Sequence, residues 1–97
     1  MRLEKYEKDI IINTVENIFG MVSISLFGSR VDNSKKGGDI DLFIVPHENS
    51  NLYEKKIRTL AKLERLLHKP VDIIVHKNFN RSIEKEILKS YVVLKTL

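Results

Sequence analysis

The sequence predicts a mixed α/β (α+β) domain: a small mixed β-sheet packed with helices, in the order α-β-β-α-β-α. Three short runs rich in β-formers stand between segments whose apolar residues recur with a helical period. Glycine, proline and asparagine punctuate the boundaries. The 97 residues contain no internal repeat, linker or low-complexity tract. One domain spanning 1–97 follows, because chains divide only beyond roughly 250 residues.

Residues 3–19 read as a helix, with Ile11, Val15 and Ile18 on one stripe alongside Leu3 and Ile10, and Gly20 as the stop. VSISLF, 22–27, alternates apolar and small polar residues and reads as a strand. Residues 28–38 change to glycine, serine, asparagine and lysine, a long loop with room for a helical turn after Ser29. DIDLFIV, 39–45, is a second strand ended by Pro46. Asn51 caps a helix to about His68, whose apolar face is Tyr53, Ile57, Leu60, Leu63 and Leu67. Pro70 closes it, and VDIIV, 71–75, is a third strand. Asn80 or Ser82 opens a last helix from 83 to about 90; the tail YVVLKTL either extends it or pairs with another element.

Composition narrows the function classes. With no cysteine, disulfides, thiolate zinc sites and thiol nucleophiles are excluded, and a cytoplasmic location is expected. The longest apolar runs fall far short of the ~20 residues needed to span a bilayer, so no membrane partner is expected. Seventeen basic against 13 acidic residues leave a net charge of +4, a surplus that favours anionic partners. His47, His68 and His76 lack the i, i+4 spacing of a helical zinc site and read as surface or packing residues.

The chemistry-bearing residues stand at strand ends. Asp39 and Asp41 open the second strand, where side chains two apart share a face with Cα atoms ~6.6 Å apart. Two carboxylates this close repel unless a cation sits between them. Hard oxygen donors suit Mg²⁺ or Mn²⁺, above all when phosphate oxygens complete the octahedron. Asp72, near the start of the third strand, could ligate a second ion or accept a proton from an attacking hydroxyl. Gly28 lets backbone approach a phosphate, the Ser29 hydroxyl and following amides can bond its oxygens, and Arg30, Lys35 and Lys36 would add positive charge around a triphosphate.

The stretch LFGSRVDNSKKGGDIDLFIV, with KPVDIIVHKNFNRSIEKEI, resembles the DNA polymerase β-like nucleotidyltransferase superfamily. More narrowly, it resembles the minimal nucleotidyltransferases, antitoxin-type chains often encoded beside a HEPN-domain partner. The resemblance covers nearly the whole chain and implies the polymerase β-like fold. It implies that Gly28, Ser29 and Arg30 bind the nucleotide, that Asp39 and Asp41 hold two Mg²⁺ ions, and that Asp72 is the third catalytic carboxylate and metal ligand. The family commonly places ten residues between the serine and the first aspartate; this chain has nine. The implied reaction is transfer of AMP from ATP to a hydroxyl, a tyrosine of a cognate HEPN toxin, in a type VII-like toxin–antitoxin pair. Nucleic-acid binding is not expected as the primary role.

Two rival readings stand beside it. A binding-only antitoxin would cover the toxin's active site without catalysis, although three clustered carboxylates are costly without a metal. A nucleotidyltransferase acting on a small molecule or nucleic acid would need a partner chain to supply the substrate-binding region.

Overall fold

A computed structural model describes residues 1–32 and 38–97. Helix α1 is Lys5–Phe19, followed by strand β1, Val22–Phe27, and a 3-10 turn, Gly28–Val31. Strand β2 (Ile40–Pro46), helix α2 (Leu52–Leu67) and strand β3 (Val71–Val75) come next. Helix α3, Ser82–Ile87, and strand β4, Tyr91–Lys95, complete the chain. The strands form one mixed sheet in the order β3-β2-β1-β4. Only β2 and β3, joined through α2, run parallel; β1 is antiparallel to both its neighbours. The YVVLKTL tail therefore pairs, extending the expected element order by a fourth strand. Its β-branched Val92 and Val93 lie opposite Leu26 and Ser25 of β1.

Alternation decides which face is packed. Val22, Ile24 and Leu26 of β1, Ile40, Leu42 and Ile44 of β2, and Val71 and Ile73 of β3 are buried in one cluster. Ile11, Val15 and Phe19 of α1 and Leu63 and Leu67 of α2 close over them. Intervening residues, Asp41 and Asp72 among them, point to the opposite face.

Element ends depart from the sequence reading for local reasons. Helix α1 starts two residues later than expected, where the Glu7 carboxylate accepts the Glu4 amide at 3.0 Å. Asn51 does stand at the start of α2, but with a left-handed backbone (φ 55°) and no side-chain cap bond. The buried stripe of α2 is Thr59, Leu63 and Leu67, whereas Tyr53 is 78% and Ile57 46% exposed. Thr59 enters the interior because its hydroxyl donates to the Lys55 carbonyl at 2.8 Å. Helix α3 stops at Ile87, since the Lys89 and Ser90 amides turn back to Glu86 and Ile87, three residues earlier.

Two buried acids carry the loops. Glu7, on α1, meets the Lys69 ammonium at 2.6 Å. Burial works to raise its pKa, but Lys69 and the Glu4 amide outweigh it and hold the carboxyl below its ordinary range. Glu84, fully buried, gathers the Lys77 and Asn78 amides, the Arg81 Nε and the His76 ring. Phe79 stacks on that ring at 4.0 Å, and Phe43 meets it edge-on at 6.3 Å. Burial again opposes ionisation, and the Lys77 amide, His76, the Asn78 amide and Arg81 overcome it, drawing Glu84 down to about 2.

Glu84→Ala should destabilise the protein by about 3–5 kcal/mol, because several donors lose one buried acceptor. The Glu84 pKa lies below its ordinary 4.5. Its contribution is thus fully present above that pH and lost as pH falls towards 2. Urea unfolding across this range should show the gap between wild type and Glu84→Gln closing as pH falls.

Candidate active site

The registers of β2 assemble the candidate site. Asp41 pairs with Phe27, the last residue of β1, on one side and with Asp72 of β3 on the other. Opposed residues on adjacent strands share a face at a strand spacing of about 4.8 Å. Asp41 is thus flanked by Asp72 and by the chain entering the Gly28–Val31 turn. Asp41 is half-buried, while Asp39 and Asp72 are exposed. Asp39 stands one residue before β2, so the strand pleat alone does not fix its direction.

Asp72 and Asp39 act electrically on Asp41. Burial raises the Asp41 carboxyl first, the charges of Asp72 and Asp39 raise it further, and Arg30 draws it partly back; the result is about 6. Among the described residues, no three His, Cys, Asp or Glu side chains converge into a protein-only metal cage. The donor set is nonetheless hard oxygen with excess negative charge. That fits a Mg²⁺ bound through one or two carboxylates and its substrate's phosphates.

Two glycines keep this corner open. Gly28 has φ 77°, and a Cβ there would strike Asp41 Oδ2 and sit 3.1 Å from its Cγ. Gly38 has φ 86°, and its Cβ would strike Ser29 Oγ and sit 3.2 Å from Ser29 Cβ. Gly28 was legible as a close-approach glycine, but what approaches it inside the fold is a carboxylate. Gly38 was missed; the adjacent Gly37-Gly38 pair before Asp39 was its only signal.

Arg30 sits behind the turn. Its Nη1 donates to the Arg2 carbonyl at 2.9 Å and its Nη2 to the Gly38 carbonyl at 3.4 Å, while Nε is buried without a hydrogen-bond partner. Lys35 and Lys36 lie outside the described residues. A cleft of about 430 Å³ opens beside Gly28 and Ser29, walled by Phe27, Ile83 and Ile87. Sequence reasoning missed the wall from α3, because a six-residue helix shows too little periodicity. A second cleft, about 210 Å³, lies between α2 and the β3–α3 connection, away from the carboxylates. Among the described residues no helix is long and apolar enough to cross a membrane.

Comparison with known proteins fits this geometry. A chain of the complex between a tri-AMPylated Shewanella oneidensis HEPN toxin and an MNT antitoxin has a TM-score of 0.75 and 18% identity, the match covering 96% of this chain and 72% of that one. A toxin–antitoxin structure with AMP-PNP gives a TM-score of 0.76 at 18% identity, over 93% and 73%. A MntA-HepT toxin–antitoxin structure gives 0.72 at 16%, over 97% and 74%. At such identities the likeness is one of fold. No curated protein matches the sequence significantly. The family described as Polymerase beta, Nucleotidyltransferase matches residues 9–96. With almost the whole sequence inside that match, the chain belongs to the polymerase beta nucleotidyltransferase family.

Proposed function

We propose that this chain is a Mg²⁺-dependent nucleotidyltransferase that moves AMP from ATP onto a tyrosine hydroxyl of a HEPN toxin, and so acts as its antitoxin. The observation that carries the reading is the register placing Asp41 opposite Asp72 at the entry to the Gly28–Val31 turn. The AMPylated toxin and the AMP-PNP of the similar complexes support the choice of nucleotide and partner.

Gly28 and Ser29 receive the triphosphate through backbone amides and the serine hydroxyl, with Arg30 adding positive charge behind them. Asp39 and Asp41, joined by Asp72, would hold Mg²⁺, or Mn²⁺, which when bound neutralises phosphate charge and polarises the α-phosphate. The exposed Asp72 carboxylate accepts the proton of the incoming hydroxyl. The hydroxyl oxygen forms a bond to the α-phosphorus as the bond to pyrophosphate breaks. The apolar wall of Ile83 and Ile87 offers the nucleotide a surface beside the turn.

The direct test incubates the chain with labelled ATP, Mg²⁺ and a HEPN toxin, and maps the label by mass spectrometry. Label on a toxin tyrosine is expected, and it should vanish with the Asp39→Asn, Asp41→Asn double variant together with neutralisation of the toxin. Full neutralisation by that double variant would establish masking without catalysis instead.

Asp72→Asn should keep nucleotide binding while transfer falls by about 10²-fold or more, the usual scale for a lost general base. Calorimetry and single-turnover transfer rates separate the two effects, and equal rates would remove Asp72 from the catalytic set.

Gly28→Ala should abolish most transfer, because the new methyl displaces Asp41. Gly20→Ala is the control: its φ is 80°, but nothing lies within 4 Å of its Cβ position. Each substitution should cost about 1–3 kcal/mol of backbone strain. Only Gly28→Ala should lose activity when rates are compared at a temperature where both variants are folded.

A further inference from the structure

We infer that Arg2 is a positioning residue for the Gly28–Val31 turn, an inference that rests on the nucleotidyl-transfer reading. A 3-10 turn of four residues satisfies few of its own backbone groups, and its later carbonyls need partners from outside. Arg2 supplies them. Its amide donates to the Arg30 carbonyl at 2.8 Å, its Nη2 to the Ser29 carbonyl at 3.1 Å and its Nε to the Asp32 carbonyl at 3.3 Å. The bond from Arg30 Nη1 to the Arg2 carbonyl closes the clasp, and Arg30 Nη2 extends it to Gly38, against which Ser29 packs.

The planar guanidinium suits this duty, since its rigid fork reaches two carbonyls that a lysine ammonium could not hold in one geometry. The clasp is made to the carbonyls of the turn, and Gly28 and Ser29 line the cleft. Arg2 itself is not among the residues lining that cleft. It therefore acts through the turn: it holds Ser29 at a fixed place relative to Gly38 and Asp41 before the nucleotide arrives. Preorganisation of this kind is felt as affinity for the bound group. Asp41 and Asp72 sit on strands held by the sheet, so the step after binding depends little on Arg2.

The test compares wild type, Arg2→Lys and Arg2→Ala in toxin AMPylation over a range of ATP concentrations, with hydrogen exchange of residues 28–32 measured on each folded chain. Arg2→Ala should raise the KM for ATP about tenfold with kcat changed less than threefold, and should speed exchange at those amides. Arg2→Lys should fall between. Where Arg2→Ala lowers stability too far, Arg2→Gln, which keeps most of the stem, replaces it. An unchanged KM, or unchanged exchange, in the presence of normal wild-type transfer overturns the positioning role alone. Absence of transfer by wild type overturns the nucleotidyl-transfer reading, and with it any role for Arg2 in it.

Discussion

The register of β2 is the constraint on which the rest depends. The strand is hydrogen-bonded on both sides, antiparallel to β1 and parallel to β3, so it has no freedom to slide. Ile40, Leu42 and Ile44 are all fully buried on the helix-packed face. A slip of one residue would drive Asp41 into that core and turn three large aliphatic side chains outward. At roughly 1.5–3 kcal/mol for each buried aliphatic side chain, the pattern strongly prefers one alignment. That alignment sets Asp41 beside Asp72 and next to the end of β1. The geometry of the candidate site is thus a by-product of core packing, and the core stabilises a placement that the charges themselves resist.

How much of this was legible in the sequence follows from the same physics. Strands β1, β2 and β3 could be read because each buries alternate residues, and the Gly-Ser turn and three aspartates because each marks a strand end. What escaped depends on contacts between distant residues. Arg2 is an unremarkable basic residue in a charged N-terminal stretch until the fold brings it to the 3-10 turn, some 27 positions away at Ser29. Tyr53 and Ile57 fit the helical period of α2 as well as the buried residues do. Periodicity specifies a stripe but not how far along the helix the partner surface reaches. Glu84 carries no signal of burial in the sequence, because the donors that satisfy it come from the β3–α3 connection.

The antiparallel pairing of β4 with β1 closes the side of the sheet away from Asp72. Its residues Tyr91 and Val92 lie opposite Phe27 and Leu26, so β4 steadies the end of β1 from which the turn departs. The turn is then held from three directions: by β1 before it, by the Arg2 clasp on its carbonyls, and by Gly38 against Ser29. Each restraint belongs to a different part of the chain, which is why so short a turn can keep a defined shape.

Buried Glu84 and half-buried Asp41 show how surroundings drive two desolvated carboxyls in opposite directions. Both suffer desolvation, which alone would raise either carboxyl. Glu84 is surrounded by donors from the protein and falls to about 2, so its charge is satisfied before any ligand arrives. Asp41 is given the reverse surroundings: two further carboxylates and, among the described residues, one opposing guanidinium already bonded to backbone carbonyls, and it rises to about 6. Among the described residues, that arrangement leaves the Asp41 charge undercompensated. Perturbed groups of this kind concentrate at functional sites because the missing compensation comes from outside. Under the proposed function, a divalent cation carried with a nucleotide would supply that compensation to these hard oxygen donors. The instability at Asp41 is therefore intelligible as one half of a binding interaction.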